Sequence, residues 1–131
     1  MFNDELRAFL SKPHIARMST IDPQGFPHTV PVWYAMDGDE FVITVPRNTK
    51  KWGHIQANPK GCISIGGAPD DGGGWLFKGE FVIADDETMP WLEQMTYHYE
   101  PPEQAAKDLA LWATWDIGIV RMKPEKVIKT Y

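Results

Sequence analysis

Short alternating apolar runs, each closed by a turn signal, recur along the whole chain, and they limit the fold more than any other feature. Residues 15–21 alternate as a half-buried strand does. Asp22-Pro23-Gln24-Gly25 is a turn into a second strand at 26–34, and Asp37-Gly38-Asp39 a hairpin turn into a third at 40–45. Pro59-Lys60-Gly61 opens a fourth strand that runs through Ile65. A fifth covers 75–84 with Gly79 as a bulge, and the last covers 117–122, with Val127-Ile128 extending the sheet. Gly66 to Gly74 reads as a flexible loop that borders the site. Helical signals are confined to short pieces. Asn3 caps one that carries Leu6, Phe9 and Leu10 and stops before Pro13. Others cover 51–57, 88–99 with Asp85 or Asp86 as cap, and 103–112 after the break at Pro101-Pro102. Short, evenly spaced strands with few helices predict a mainly β fold, a small β-barrel with a few short helices, in one domain over residues 1–131.

Pro27 and Pro31 fall inside the second strand. Proline has no N–H for a ladder, so this strand is at an edge, bulged, or open toward a ligand.

The stretch from Arg47 to Pro59 carries the chemistry. Arg47, Lys50, Lys51 and the Thr49 hydroxyl lie where a strand ends and a short helix begins. Helix N-termini present unpaired N–H groups and partial positive charge, which suit a phosphate. Thr49 can cap the helix or reach a phosphate oxygen. Lys50 and Lys51 diverge by about 100° of helix rotation, so both need not serve one anion.

This cluster stands out because the 131-residue chain is acidic, with a formal charge of -5. That balance argues against a general nucleic-acid binder. The single cysteine, Cys62, excludes an internal disulfide and lacks the spaced partners of a zinc site. No apolar run approaches a membrane span, and the acidic N-terminus has no signal-peptide core, so a cytoplasmic protein is expected. The six tryptophans exceed what a small core absorbs, and some are expected at a ligand site or subunit interface. The four histidines, 14, 28, 54 and 98, have no metal-ligand spacing, and no metal site is expected. Ser19 and Ser64 lack a nucleophile elbow, and the glycine runs lack the lysine of a phosphate loop.

Several segments together resemble one family. Residues 16–28 resemble an opening hairpin with an Asp-x-x-Gly turn and a proline. Val30-Pro31-Val32-Trp33-Tyr34 resembles its second strand. Thr49-x-Lys51 followed by Asn58-Pro59 resembles a Ser/Thr-x-Lys phosphate pair, and residues 74–81 resemble a later apolar-x-Gly-x-apolar strand. In this order they resemble the FMN-binding split β-barrel family of pyridoxamine 5'-phosphate oxidase and its short relatives, which include deazaflavin-dependent reductases. The similarity spans residues 5 to 128.

The resemblance implies a homodimer with two cofactors at the interface. It implies that Arg47, Thr49 and Lys51 hold the flavin phosphate, with Lys50 beside them. Pro31, Val32 and Trp33, with Thr44, Val45 and Pro46, would line the ring system. Trp75 and residues 112–115 of the second subunit would close it. The second strand lacks the arginine, and the C-terminal segment the basic motif, of vitamin B6 oxidases proper. The expected activity is therefore an FMN-dependent transfer of hydride or electrons to or from a small planar substrate. The alternatives are a deazaflavin-dependent reductase and a non-catalytic flavin or haem binder. No side chain is marked as a catalytic acid or base.

Overall fold

The computed structural model describes residues 2–131. In chain order the elements are α1 (Asp4–Leu10), β1 (Ala16–Ile21), β2 (Pro27–Val32), β3 (Ala35–Asp37), β4 (Glu40–Pro46), α2 (Lys50–Ala57), β5 (Lys60–Gly66), β6 (Gly74–Ala84), α3 (Thr88–Tyr99), α4 (Pro102–Trp112) and β7 (Ile117–Lys129). The seven strands form one antiparallel sheet in the order β2-β1-β5-β6-β7-β4-β3. The sheet curls around a core but does not close, as in a split barrel. Among the described residues, no helix is long and apolar enough to cross a membrane.

Strand alternation builds the interior. Met18 of β1, Ile63 of β5, Phe77 and Phe81 of β6, and Phe41 and Ile43 of β4 all point inward and are buried. Helix α1 adds Leu6, Phe9 and Leu10 to the same core. Asn3 caps this helix through Oδ1, which accepts from the Leu6 N–H at 2.8 Å. At its other end the buried Tyr34 hydroxyl serves the Leu10 carbonyl at 3.0 Å and the Lys12 carbonyl at 3.2 Å. Burial, with the Tyr99 phenol nearby, raises the Tyr34 pKa.

β4 is buried on both faces. Its Val42 turns away from the barrel and packs with Ala35, Ile119 and Met95, so α3 lies on the outside of the sheet. Arg121 of β7 ties this layer down. Its guanidinium bridges Asp86, Asp37 and Glu40 and lies 5.4 Å from the centre of the Trp91 ring.

The structure departs from the expected elements in four places. The strand expected at 26–34 ends at Val32, where β1 runs out of partners at Ala16. The chain then bends at Trp33 and Tyr34 and starts β3, which pairs with β4 instead. Neither Asp85 nor Asp86 caps α3; Glu87 holds the cap position without a side-chain bond. Asp86 instead accepts from Arg121 and from Trp91 Nε1, since a guanidinium is a stronger donor than a backbone amide. The final strand is one continuous ribbon, Ile117–Lys129, because β6 pairs along its length beyond a bulge at Lys78/Gly79. The glycine-rich loop is a hairpin end: Gly66 faces Gly74, and the Gly67 N–H reaches the Gly73 carbonyl at 2.9 Å. Gly66 has φ +80°, and a Cβ there would lie 2.3 Å from the Gly73 oxygen, so the turn requires glycine. β2 is an edge strand, which accommodates Pro27 and Pro31.

Candidate functional site

Alternation along β4 decides which residues face the outer cleft. Phe41, Ile43 and Val45 point into the barrel, so Thr44 points out. Across from it, Pro31, Val32 and Trp33 leave the edge strand β2. Helices α3 and α4 cross above, with Leu92, Trp112 and the following Trp115. Between these walls lies a cleft of about 460 Å³, lined also by Ile15, Pro46, Ile117 and Lys51.

The cleft is walled by aromatic rings. Trp33 stacks on Tyr99, with centroids 4.9 Å apart and planes 6° from parallel. Trp112 meets Trp33 edge-on at 5.9 Å, and Trp115 lies 6.4 Å beyond Trp112. Trp33 and Trp112 are partly buried and Trp115 is exposed. The Tyr99 hydroxyl donates to the His14 carbonyl at 2.6 Å. That bond anchors the stack to the segment before β1, and burial pushes the Tyr99 phenol up to about 12. A flat, polarisable ring system fits such walls.

The basic cluster divides into separate environments. Lys51, in the first turn of α2, is half-buried in the cleft and has no ion pair among the described residues. Burial lowers its pKa. Lys50 turns the other way, into a second depression shared with His28, Gly53 and His54. Arg47 is paired with Asp116 and lies over the Trp52 ring at 5.4 Å. Thr49 holds the N-cap position, but its hydroxyl donates to the Pro46 carbonyl at 2.7 Å rather than capping the helix. The Thr49 oxygen can accept, but its proton is already committed.

Among the residues singled out by sequence, the cleft thus gathers Pro31, Val32, Trp33, Thr44, Pro46 and Lys51. Arg47 and Thr49 stand at the entrance of α2, and Lys50 lies outside the cleft. Val45 is fully buried on the barrel side and does not line the cleft. Trp75 is in the core, 4.6 Å from Phe9, in contact with α1 rather than with the cleft. Of residues 112–115, Trp112 and Trp115 line the cleft from the same chain. Tyr99, Leu92 and Asp116 were not legible beforehand, because only folding brings α3 and the start of β7 beside Trp33 and Arg47.

None of the four histidines lines the cleft. His28 and His54 meet edge to face at 5.1 Å in the second depression, where His54 Nδ1 and the Thr20 hydroxyl are 2.9 Å apart. His14 stacks on Phe9 at 4.0 Å, and His98 lines a groove with Tyr97 and Arg7. Among the described residues there is no group of three side chains suited to a metal ion.

Comparison with known proteins gives the family and the fold. A family model described as pyridoxamine 5'-phosphate oxidase matches residues 2–115. Nothing among the curated proteins matches the chain. Solved structures of the same fold include an F420 reductase, 23% identical with a TM-score of 0.75, covering 95% of this chain and 96% of its own. HutZ, the haem storage protein of Vibrio cholerae, is 15% identical with a TM-score of 0.70, covering 97% of this chain and 94% of its own. General Stress Protein 26 of Bacillus anthracis is 13% identical with a TM-score of 0.69, covering 96% and 91%.

Proposed function

The chain belongs to the pyridoxamine 5'-phosphate oxidase family, and from that premise we propose that it is a flavin-dependent oxidoreductase that binds FMN in the aromatic cleft. One observation carries this reading. Among the described residues, Lys51 places an ammonium without a carboxylate partner in a cleft whose other walls are mainly apolar and aromatic. A planar ring with a phosphate tail satisfies both halves of such a site. Trp33, Trp112 and Ile117 would hold the ring, and Lys51, aided by the first amides of α2, would hold the phosphate. The bound flavin supplies hydride or electron transfer, and the chain supplies orientation and an apolar enclosure. The substrate is a small planar molecule that can lie against the exposed ring face. The cleft is open, and exposed Ile15, Leu111 and Trp115 are available for a second copy of the chain, so the working form is a homodimer.

The deazaflavin coenzyme is the alternative cofactor. Its anionic glutamate tail asks for a longer basic groove, whereas among the described residues this cleft has one cation along its walls. Haem is less well supported, since no imidazole reaches the cleft to ligate iron.

Titration of the purified apoprotein, followed by tryptophan quenching, tests the reading. Saturable binding of FMN near one per subunit is expected, with weaker or absent binding of the deazaflavin and of haem. Binding of neither flavin type would overturn it. The depressed Lys51 pKa adds a pH signature. Lys51 is charged below its pKa, so FMN affinity falls as pH rises through a range beneath the ordinary lysine value. Riboflavin, which has no phosphate, shows no such fall. An FMN affinity that stays flat on the alkaline side would argue that Lys51 does not meet the phosphate.

A further inference from the structure

We infer that Asp116 is a built-in rival of the anion at this site, setting anion affinity by holding Arg47; this rests on the reading that the anion enters beside Lys51. The pairing follows from the sheet register. Pro46 of β4 lies opposite Ile117 of β7, and one step further the Arg47 N–H donates to the Asp116 carbonyl at 2.9 Å. The two side chains are therefore placed face to face by the backbone, and they form an ion pair.

The floor under Arg47 is also built. The Trp52 ring fills the space beside Gly118, where a Cβ would lie 2.4 Å from it. The Arg47 guanidinium lies over that ring. An arginine stacked on one face and paired at its edge is held in one place. Both partners remain in contact with water, with 43% of the Arg47 and 75% of the Asp116 side chain exposed. Such a pair opens at low cost.

Lys51 follows four residues later, in the first turn of α2, and lines the cleft together with Pro46 and Ile117, the chain neighbours of Arg47 and Asp116. An anion that reaches Lys51 gains Arg47 as a second cation only when it displaces the Asp116 carboxylate. Until then Asp116 also repels it. The net effect is a site tuned below the affinity that its two cations could give, and more so for ligands of higher charge.

Inorganic pyrophosphate is the probe, titrated by calorimetry against wild type, Asp116→Asn, Asp116→Ser and the double variant Asp116→Asn/Arg47→Gln. Both single variants are expected to bind pyrophosphate about fivefold more tightly, the upper end of what an exposed ion pair contributes. The double variant loses that gain. Equal or weaker binding by both single variants, a gain that survives loss of Arg47, or no binding by any protein overturns the inference. A parallel titration with FMN separates the two claims. Tighter pyrophosphate binding without flavin binding retains the role of Asp116 and removes the cofactor reading. Flavin binding without the pyrophosphate gain does the reverse.

Discussion

Replacing Lys51 with alanine is expected to weaken FMN binding by roughly ten- to a hundredfold, while riboflavin binding changes by less than about twofold. The size follows from the loss of a charged hydrogen bond, about 1.5–3 kcal/mol, at a site where few other donors are free. Arg47 is engaged by Asp116, and Thr49 gives its proton to the Pro46 carbonyl. Lys50 points into the neighbouring depression, so it cannot substitute without unwinding the first turn of α2. Lys50→Ala is accordingly the control, with an expected effect under about threefold from long-range charge alone. Removal of the Lys51 ammonium from a half-buried position also lifts a desolvation cost, so the apoprotein does not lose stability. Equal loss of FMN and riboflavin affinity would mean that Lys51 supports the ring pocket rather than the phosphate.

Phe77→Ala is expected to be the most destabilising truncation in the barrel. Phe77 is fully buried, meets Phe41 edge to face at 4.8 Å, and lies 6.0 Å from Phe2. It sits in the middle of β6, which pairs with β5 on one side and β7 on the other. Neither neighbour can move inward to fill the void without breaking a ladder. Loss of about 3–5 kcal/mol is expected, a large share of the roughly 5–15 kcal/mol that holds a domain together. Urea unfolding should show a lower midpoint with an unchanged slope. Phe26→Ala, at an exposed ring in the first turn, should stay within about 0.5 kcal/mol of wild type. A Phe77→Ala protein within about 1 kcal/mol of wild type would contradict the placement of the core.

Most of the strands were legible because their signals are local. Alternation marked β1, β4, β5 and β6, glycine marked the bulge at Gly79, and the two prolines marked β2 as an edge, bulged or open strand, of which the structure takes the edge. What escaped depends on pairing between distant segments. The end of β2 at Val32 is set by where β1 stops, and the full length of β7 is set by β6. Asp86 reads as a helix cap until folding brings Arg121, thirty-five residues away, against it.

The site divides along the same line. The Thr49-x-Lys51 spacing at a helix start could be read from the residues, whereas the segment around Trp33 was implied by the family resemblance. Which cation is free could not, because Arg47 finds Asp116 only through the β4–β7 register. Nor could the part of Tyr99, which belongs to α3, a helix whose packing against Trp33 leaves no local periodic trace.

The most direct test of the account is a crystal structure of the protein soaked or grown with FMN. The account predicts the flavin ring between the β2 edge and the Trp112–Trp115 segment, with the phosphate within hydrogen-bonding distance of Lys51 Nζ. A phosphate seated instead beside Lys50, His28 and His54, or a ring bound away from Trp33, would contradict it.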